Sequence, residues 1–201
     1  MPIIRSTVGL TKFNPTALYP HSLRMEDFQM AMQDAYDLLY DINTGLAAKS
    51  LDRLDEILRP AIMSGFLSDV ITSSLGNHAR ALAVNRYHNG HPDLILQNMY
   101  PNNSVKSGGK NGVEIKMTQN ARGSVDTHGA RDQWFCVFVY KIDKITQPPT
   151  NRAAMEFTKI YLAEITTTDF RKNERGVLGT RTASLDKAGL AKLHSHWIYK
   201  L

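Results

Sequence analysis

The sequence predicts an α/β fold: a central mixed β-sheet flanked by helices, with a helical N-terminal region. Three observations predict it. Apolar residues between 22 and 82 recur at helical spacing. Four short runs between 93 and 165 are rich in β-branched and aromatic residues. Beyond Thr166 the chain turns polar and helical again. Helices, then strands, then helices within 201 residues fit one domain with a sizeable core. Its expected parts are a mainly helical stretch over 1–82, a sheet over 83–166 and a helical C-terminal part over 167–201.

Each element has its own signal. Residues 1–21 hold three prolines and little periodicity, so they read as an irregular arm. From Ser22 to Tyr40, Leu23, Phe28, Met32, Tyr36 and Leu39 share a helical stripe, and Asn43-Thr44-Gly45 is the expected end. Ser50 is a good N-cap for a second helix running to Arg59, and Pro60 interrupts or restarts it. Residues 61–82 form a third helical pattern, which Gly76-Asn77 is placed to break. The four strands are "DLIL", "GVEIKMT", "WFCVFVYKI" and "FTKIYLAEI". The segment "NNSVKSGGKNG" joins the first two as a hairpin-like loop. The C-terminal "SLDKAGLAKLHSHWIYK" reads as a helix capped by Ser184.

Composition narrows the function classes. A hydrophobic fraction of 42% excludes a disordered chain, and no apolar run is long enough to span a membrane. The N-terminus lacks the apolar core of a signal peptide, and one cysteine allows no internal disulfide. A cytoplasmic location is the expectation. The net charge is +5, with bases concentrated in 105–131 and 171–200, a distribution compatible with a nucleic-acid partner. The histidines and the single cysteine lack zinc-ligand spacing, and "SGGKNG" lacks the context of a phosphate loop.

The chemistry lies in two strands. Alternation in "GVEIKMT" puts Val113, Ile115 and Met117 on one face and Glu114, Lys116 and Thr118 on the other. The first face suits a core. The second lines up a carboxylate, an amine and a hydroxyl. Asp93 opens the preceding strand and can be carried beside them. Taken singly, a Glu-x-Lys in a strand is usually a solvated ion pair, and Pro-Asp is usually a turn. Together they describe an all-oxygen site suited to Mg²⁺, with an ammonium within reach of a phosphate.

Pro92-Asp93 followed by Glu114-Ile115-Lys116 resembles the PD-(D/E)XK nuclease superfamily, and within it the type II restriction endonucleases. The resemblance covers residues 50–165. It implies a restriction-endonuclease-like sheet and a Mg²⁺-dependent, sequence-specific cut of double-stranded DNA. It further implies Asp93 and Glu114 as metal ligands, Ile115 as a ligand through its carbonyl, and Lys116 as the cation that orients water. Many members add an acid from an upstream helix, and Glu56 is the expected one here. A homodimer would match a palindromic site, with the helical half as a possible interface. The polar stretch after the catalytic strand offers Gln119, Asn120, Arg122, His128 and Arg131 to DNA, and Arg181 lies in a second basic stretch. Two alternatives stay open: a repair, phage or junction-resolving nuclease of the same superfamily, and a DNA-binding protein without catalysis.

Overall fold

The computed structural model describes residues 3–123, 126–171 and 182–201. The N-terminal half is helical, in α1 (Met25–Ala47), the short α2 (Leu54–Ile57) and α3 (Pro60–His78). Asp27 fixes the start of α1, its Oδ2 accepting the Arg24 backbone N–H at 2.9 Å. The helix does not stop at Asn43-Thr44-Gly45. Asn43 is used for a tertiary tie instead: its Oδ1 accepts the Leu54 N–H at 2.7 Å and so caps the entry to α2. Pro60 stands in the first turn of α3, where a missing N–H costs nothing.

Six strands form the main sheet: β1 (Leu82–Val84), β2 (Leu94–Leu96), β3 (Gly112–Thr118), β5 (Gln133–Lys141), β6 (Glu156–Ile165) and β8 (Trp197–Lys200). Their order is β1-β2-β3-β5-β6-β8. The pair β3–β5 is parallel and the other neighbours are antiparallel, so the sheet is mixed. The remaining strands, β4 (Asp126–His128) and β7 (Thr182–Ser184), pair with each other in a separate ribbon.

Both faces of the sheet are covered. Val113, Ile115, Met117, Cys136 and Phe138 point into a core with α1 and α3. Phe135, Val137 and Val139 point the other way, into a second cluster with Phe170, Leu185 and Leu193. The last of these belongs to α4 (Lys187–Ser195), which is capped by Asp186 rather than Ser184; Asp186 Oδ1 accepts the Gly189 N–H at 2.7 Å. The helix stops at Ser195. The expected helical tail "WIYK" is instead β8, because the open edge of β6 gives its backbone partners and buries Ile198 and Tyr199.

The α/β expectation and the four predicted strands stand. Two flanking strands, β1 and β8, had no signal beyond three or four residues each.

Candidate active site

The site grows from the junction of β2 and β3. Leu94 pairs with Val113 and Ile95 with Gly112, and the two strands separate just beyond. Gly112 makes this approach possible. A Cβ there would lie 1.9 Å from the Leu94 carbonyl oxygen and 2.9 Å from Ile95 Cα, both of them backbone atoms. Just before β2 begins, Asp93 takes over the pairing: its Oδ2 accepts the Ile115 N–H at 2.8 Å. A side-chain oxygen thus stands where the next backbone carbonyl of a strand would stand.

The alternation in β3 holds. Ile115 points into the helical core, while Glu114 and Lys116 share the opposite face, level with Phe135 and Val137 of β5. That face is not solvated. The Glu114 side chain is 1% exposed, and its Oε1 lies 2.6 Å from Lys116 Nζ. His91 closes the group, with Nδ1 at 3.1 and 3.2 Å from the two Glu114 carboxylate oxygens. A surface ion pair contributes little, but a buried carboxylate this well surrounded is expensive to leave without its partners.

The electrostatics of the two acids diverge. Burial raises Glu114, but the hydrogen bond to His91 and the charge of Lys116 outweigh it and hold the carboxyl below its ordinary range. Burial and the negative charge of Glu114 push Asp93 up to about 7, against the opposing pull of Lys116. Two carboxylates in one poorly hydrated place repel, and one retains its proton more tightly.

That excess of negative charge suits a hard divalent cation, and the donor set decides which kind. Among the described residues, no three His, Cys, Asp or Glu side chains converge as a metal-binding group. Asp93 stands at a cleft with Glu114 buried behind it, and carboxylate oxygens are the donors that Mg²⁺ takes, through one or two acids with several waters kept.

Asp93 opens onto two clefts, of about 430 and 410 Å³. The larger is lined by Asn89, Gly90, His91 and Asp93. The smaller adds Asp69 and Thr72 of α3, opposite the loop 84–90. Asp69 is thus the helix acid that shares a cleft with Asp93, and no sequence signal set it apart from other helix-face acids. His91 was equally missed, although its place just before Pro92-Asp93 is a clue in hindsight.

Glu56, the helix acid expected from the sequence, is not brought to this place. Its Oε2 lies 2.8 Å from Arg152 Nη1, and Arg53 Nη2 is 3.6 Å from Oε1. Arg152 precedes the end of β6 that pairs with Lys141, whereas Glu114 lies level with Phe135. Six residues of strand, about 20 Å, separate those levels. Glu56 belongs to a buried ion network joining α2 to the β5–β6 connection.

The polar stretch 119–131 is divided by topology. Because β3 and β5 are parallel, their connection must run back along the whole length of the sheet. Gln119 lies at the far end, its Nε2 donating to Tyr140 Oη at 3.2 Å. Asn120 Oδ1 accepts the Arg122 N–H at 2.9 Å, and the Arg122 carbonyl accepts from His194 Nε2 at 2.5 Å. Arg131 returns two residues before β5, at the Glu114 end, with a buried Nη1 that has no hydrogen-bond partner. His128 falls on β4, and Arg181 lies outside the described residues. Gln133, which opens β5, is fully buried, and neither side-chain polar atom has a partner.

No family model, no curated protein and no solved structure matches this chain.

Proposed function

We propose that the protein is a Mg²⁺-dependent endonuclease of the PD-(D/E)XK type that hydrolyses phosphodiester bonds in double-stranded DNA. One observation carries the reading. Asp93, docked on the Ile115 N–H, stands beside a buried Glu114 whose carboxylate touches Lys116. The order of these residues along the chain and the mixed sheet are those that the resemblance to that superfamily implies.

Asp93 and Glu114 would hold the ion, with the Ile115 carbonyl beside them. Mg²⁺, when bound, supplies charge that polarises the phosphate and favours ionisation of water. The chain's own groups do the rest. Asp93 is fixed by the β3 backbone, so its free oxygen is aimed before any ligand arrives. Lys116 holds the attacking water and places positive charge beside the phosphate as negative charge accumulates. The water oxygen bonds to phosphorus, a P–O ester bond breaks, and the departing oxygen takes up a proton. His91 keeps Glu114 oriented from the other side. Asp69 faces Asp93 across the cleft and completes the acidic rim.

Sequence-specific cutting by a homodimer, as in type II restriction enzymes, is the finer form of this proposal. The test is incubation of the purified protein with phage DNA and Mg²⁺. Discrete bands support a site-specific enzyme. A smear, or cutting confined to branched DNA, supports a repair or junction-resolving nuclease instead. DNA binding with no Mg²⁺-dependent cleavage contradicts the enzymatic reading.

A further inference from the structure

The loop between β1 and β2 is held rigidly yet turns its side chains outward. Asn85 organises it from within. Its Oδ1 accepts the N–H groups of Tyr87 and Val105, each at 3.1 Å. Its Nδ2 donates to the carbonyls of Pro92 at 3.0 Å and Val105 at 2.8 Å. The Arg86 N–H donates to the Asn103 carbonyl and the Gly90 N–H to the Tyr87 carbonyl, both at 2.8 Å. Gly90 is required for this closure, since a Cβ there would lie 2.5 Å from the Val105 carbonyl oxygen. Backbone needs are met internally, whereas Arg86, Tyr87 and His88 are all exposed.

A single exposed tyrosine means little. Its position here means more. Tyr87, 44% exposed, lines the same cleft as Asp93 and Asp69. Asn89 and Gly90 line both clefts that open on Asp93. A polynucleotide strand that brings a phosphate to Asp93 must therefore pass this loop. An aromatic ring on a fixed backbone offers a stacking surface at low entropic cost, and two flanking cationic or ionisable side chains suit phosphates.

We propose that Tyr87 stacks on the base of a nucleotide next to the scissile phosphate, with Arg86 and His88 at neighbouring phosphates. This rests on the nuclease reading above and adds to it a base turned out of the duplex at the cut. The loop is then the element that selects deformable DNA at that position.

The test is a binding cycle in Ca²⁺, which permits binding better than chemistry. The probes are a short duplex spanning a mapped cut and the same duplex with an abasic site beside the scissile bond. The proposal expects Tyr87→Ala to weaken binding to the intact duplex at least fivefold, the low end of a base–aromatic stack. It expects Tyr87→Phe to bind as the parent does, and Tyr87→Ala to lose nothing further on the abasic duplex. A parent protein that binds the duplex while Tyr87→Ala binds it equally well overturns this proposal alone. So do losses that multiply. A parent protein that binds no duplex overturns the nuclease reading and this proposal with it.

Discussion

At the residue scale, the two acids are distinguished by their surroundings. Glu114 is buried against Lys116 and His91, whereas Asp93 has a backbone N–H and a cleft. The raised Asp93 carboxyl has a consequence for stability in the absence of metal. An unfolded aspartate titrates near 3.9, and the folded one titrates at about 7. The folded state holds this proton more tightly, so the linked stability is full below about pH 4 and is lost as pH rises through about 7. Glu114, held low, acts in the opposite sense, but its gain is complete once pH exceeds the ordinary glutamate range of about 4.3. Between about pH 5 and 7, Asp93 tilts stability downward as pH rises, and the imidazole of His21, held low by burial, tilts it the other way. Thermal melts in chelator should show a midpoint that falls more steeply, or rises less, across that window in the parent than in Asp93→Asn. An unchanged slope in the variant would remove Asp93 as its source.

On the nuclease proposal, Lys116 is the residue that would separate a working site from an inert strand face. Lys116→Met should abolish single-turnover cleavage with Mg²⁺ and leave specific binding in Ca²⁺ intact. Lys116→Arg should also be severely impaired, because a planar fork does not replace a compact ammonium. Cutting by Lys116→Met at the parent rate would make the contact with Glu114 merely structural.

At the element scale, the closeness of β2 and β3 is what delivers Asp93 to Ile115. Gly112→Ala would drive a methyl into the Leu94 carbonyl, and backbone cannot rotate away as a side chain can. Overpacking of this kind costs typically about 1–3 kcal/mol. The predicted result is a lower unfolding midpoint in urea and a greater loss of cleavage than of DNA binding. Normal cleavage in this variant would mean that the strand spacing does not position Asp93.

Much of the site was legible because a strand has a period of two. That period assigned Ile115 to the core and Glu114 and Lys116 to one face without reference to any partner strand. The rest depended on non-local facts. The expectation for Glu56 rested on its helix preceding the sheet, and periodicity does not tell which helix acid shares the Asp93 cleft. Likewise, 119–131 looks like one polar loop in sequence, and only the parallel pairing of β3 with β5 sends its two ends to opposite ends of the sheet. "WIYK" carries too few residues to announce a strand, and it becomes one through the edge of β6. Glu56 and Asp69 now make opposed predictions. Glu56→Gln should lower stability, because Arg152 loses its charged partner at 2.8 Å while Arg53 keeps Asp55, and it should spare the cleavage rate of the folded protein. Asp69→Asn should reduce cleavage with little effect on stability, since Asp69 is exposed. Paired melting curves and single-turnover rates check both, and the reverse pattern would exchange their roles.

At the scale of the whole molecule, one sheet serves two cores. The helical core behind β3 fixes its backbone through Val113, Ile115 and Met117, and the second cluster buries the face on which Glu114 lies. Glu114 is thereby mounted on a strand supported from both sides, and Asp93 is tied to that strand through the Ile115 N–H, the arrangement that keeps charged groups aimed without ligand. Among the described residues no helix is long and apolar enough to cross a membrane, and the chain carries a net charge of +5. The excess of bases opposes the local repulsion that Asp69, Asp93 and Glu114 would exert on a phosphate backbone. The most direct measurement is single-turnover cleavage of phage DNA with Mg²⁺, comparing the parent protein with Glu114→Gln purified in parallel. The account predicts discrete cleavage products from the parent, none without Mg²⁺, and none from Glu114→Gln. Equal cleavage by the two proteins, or cleavage by the parent in chelator, would contradict it.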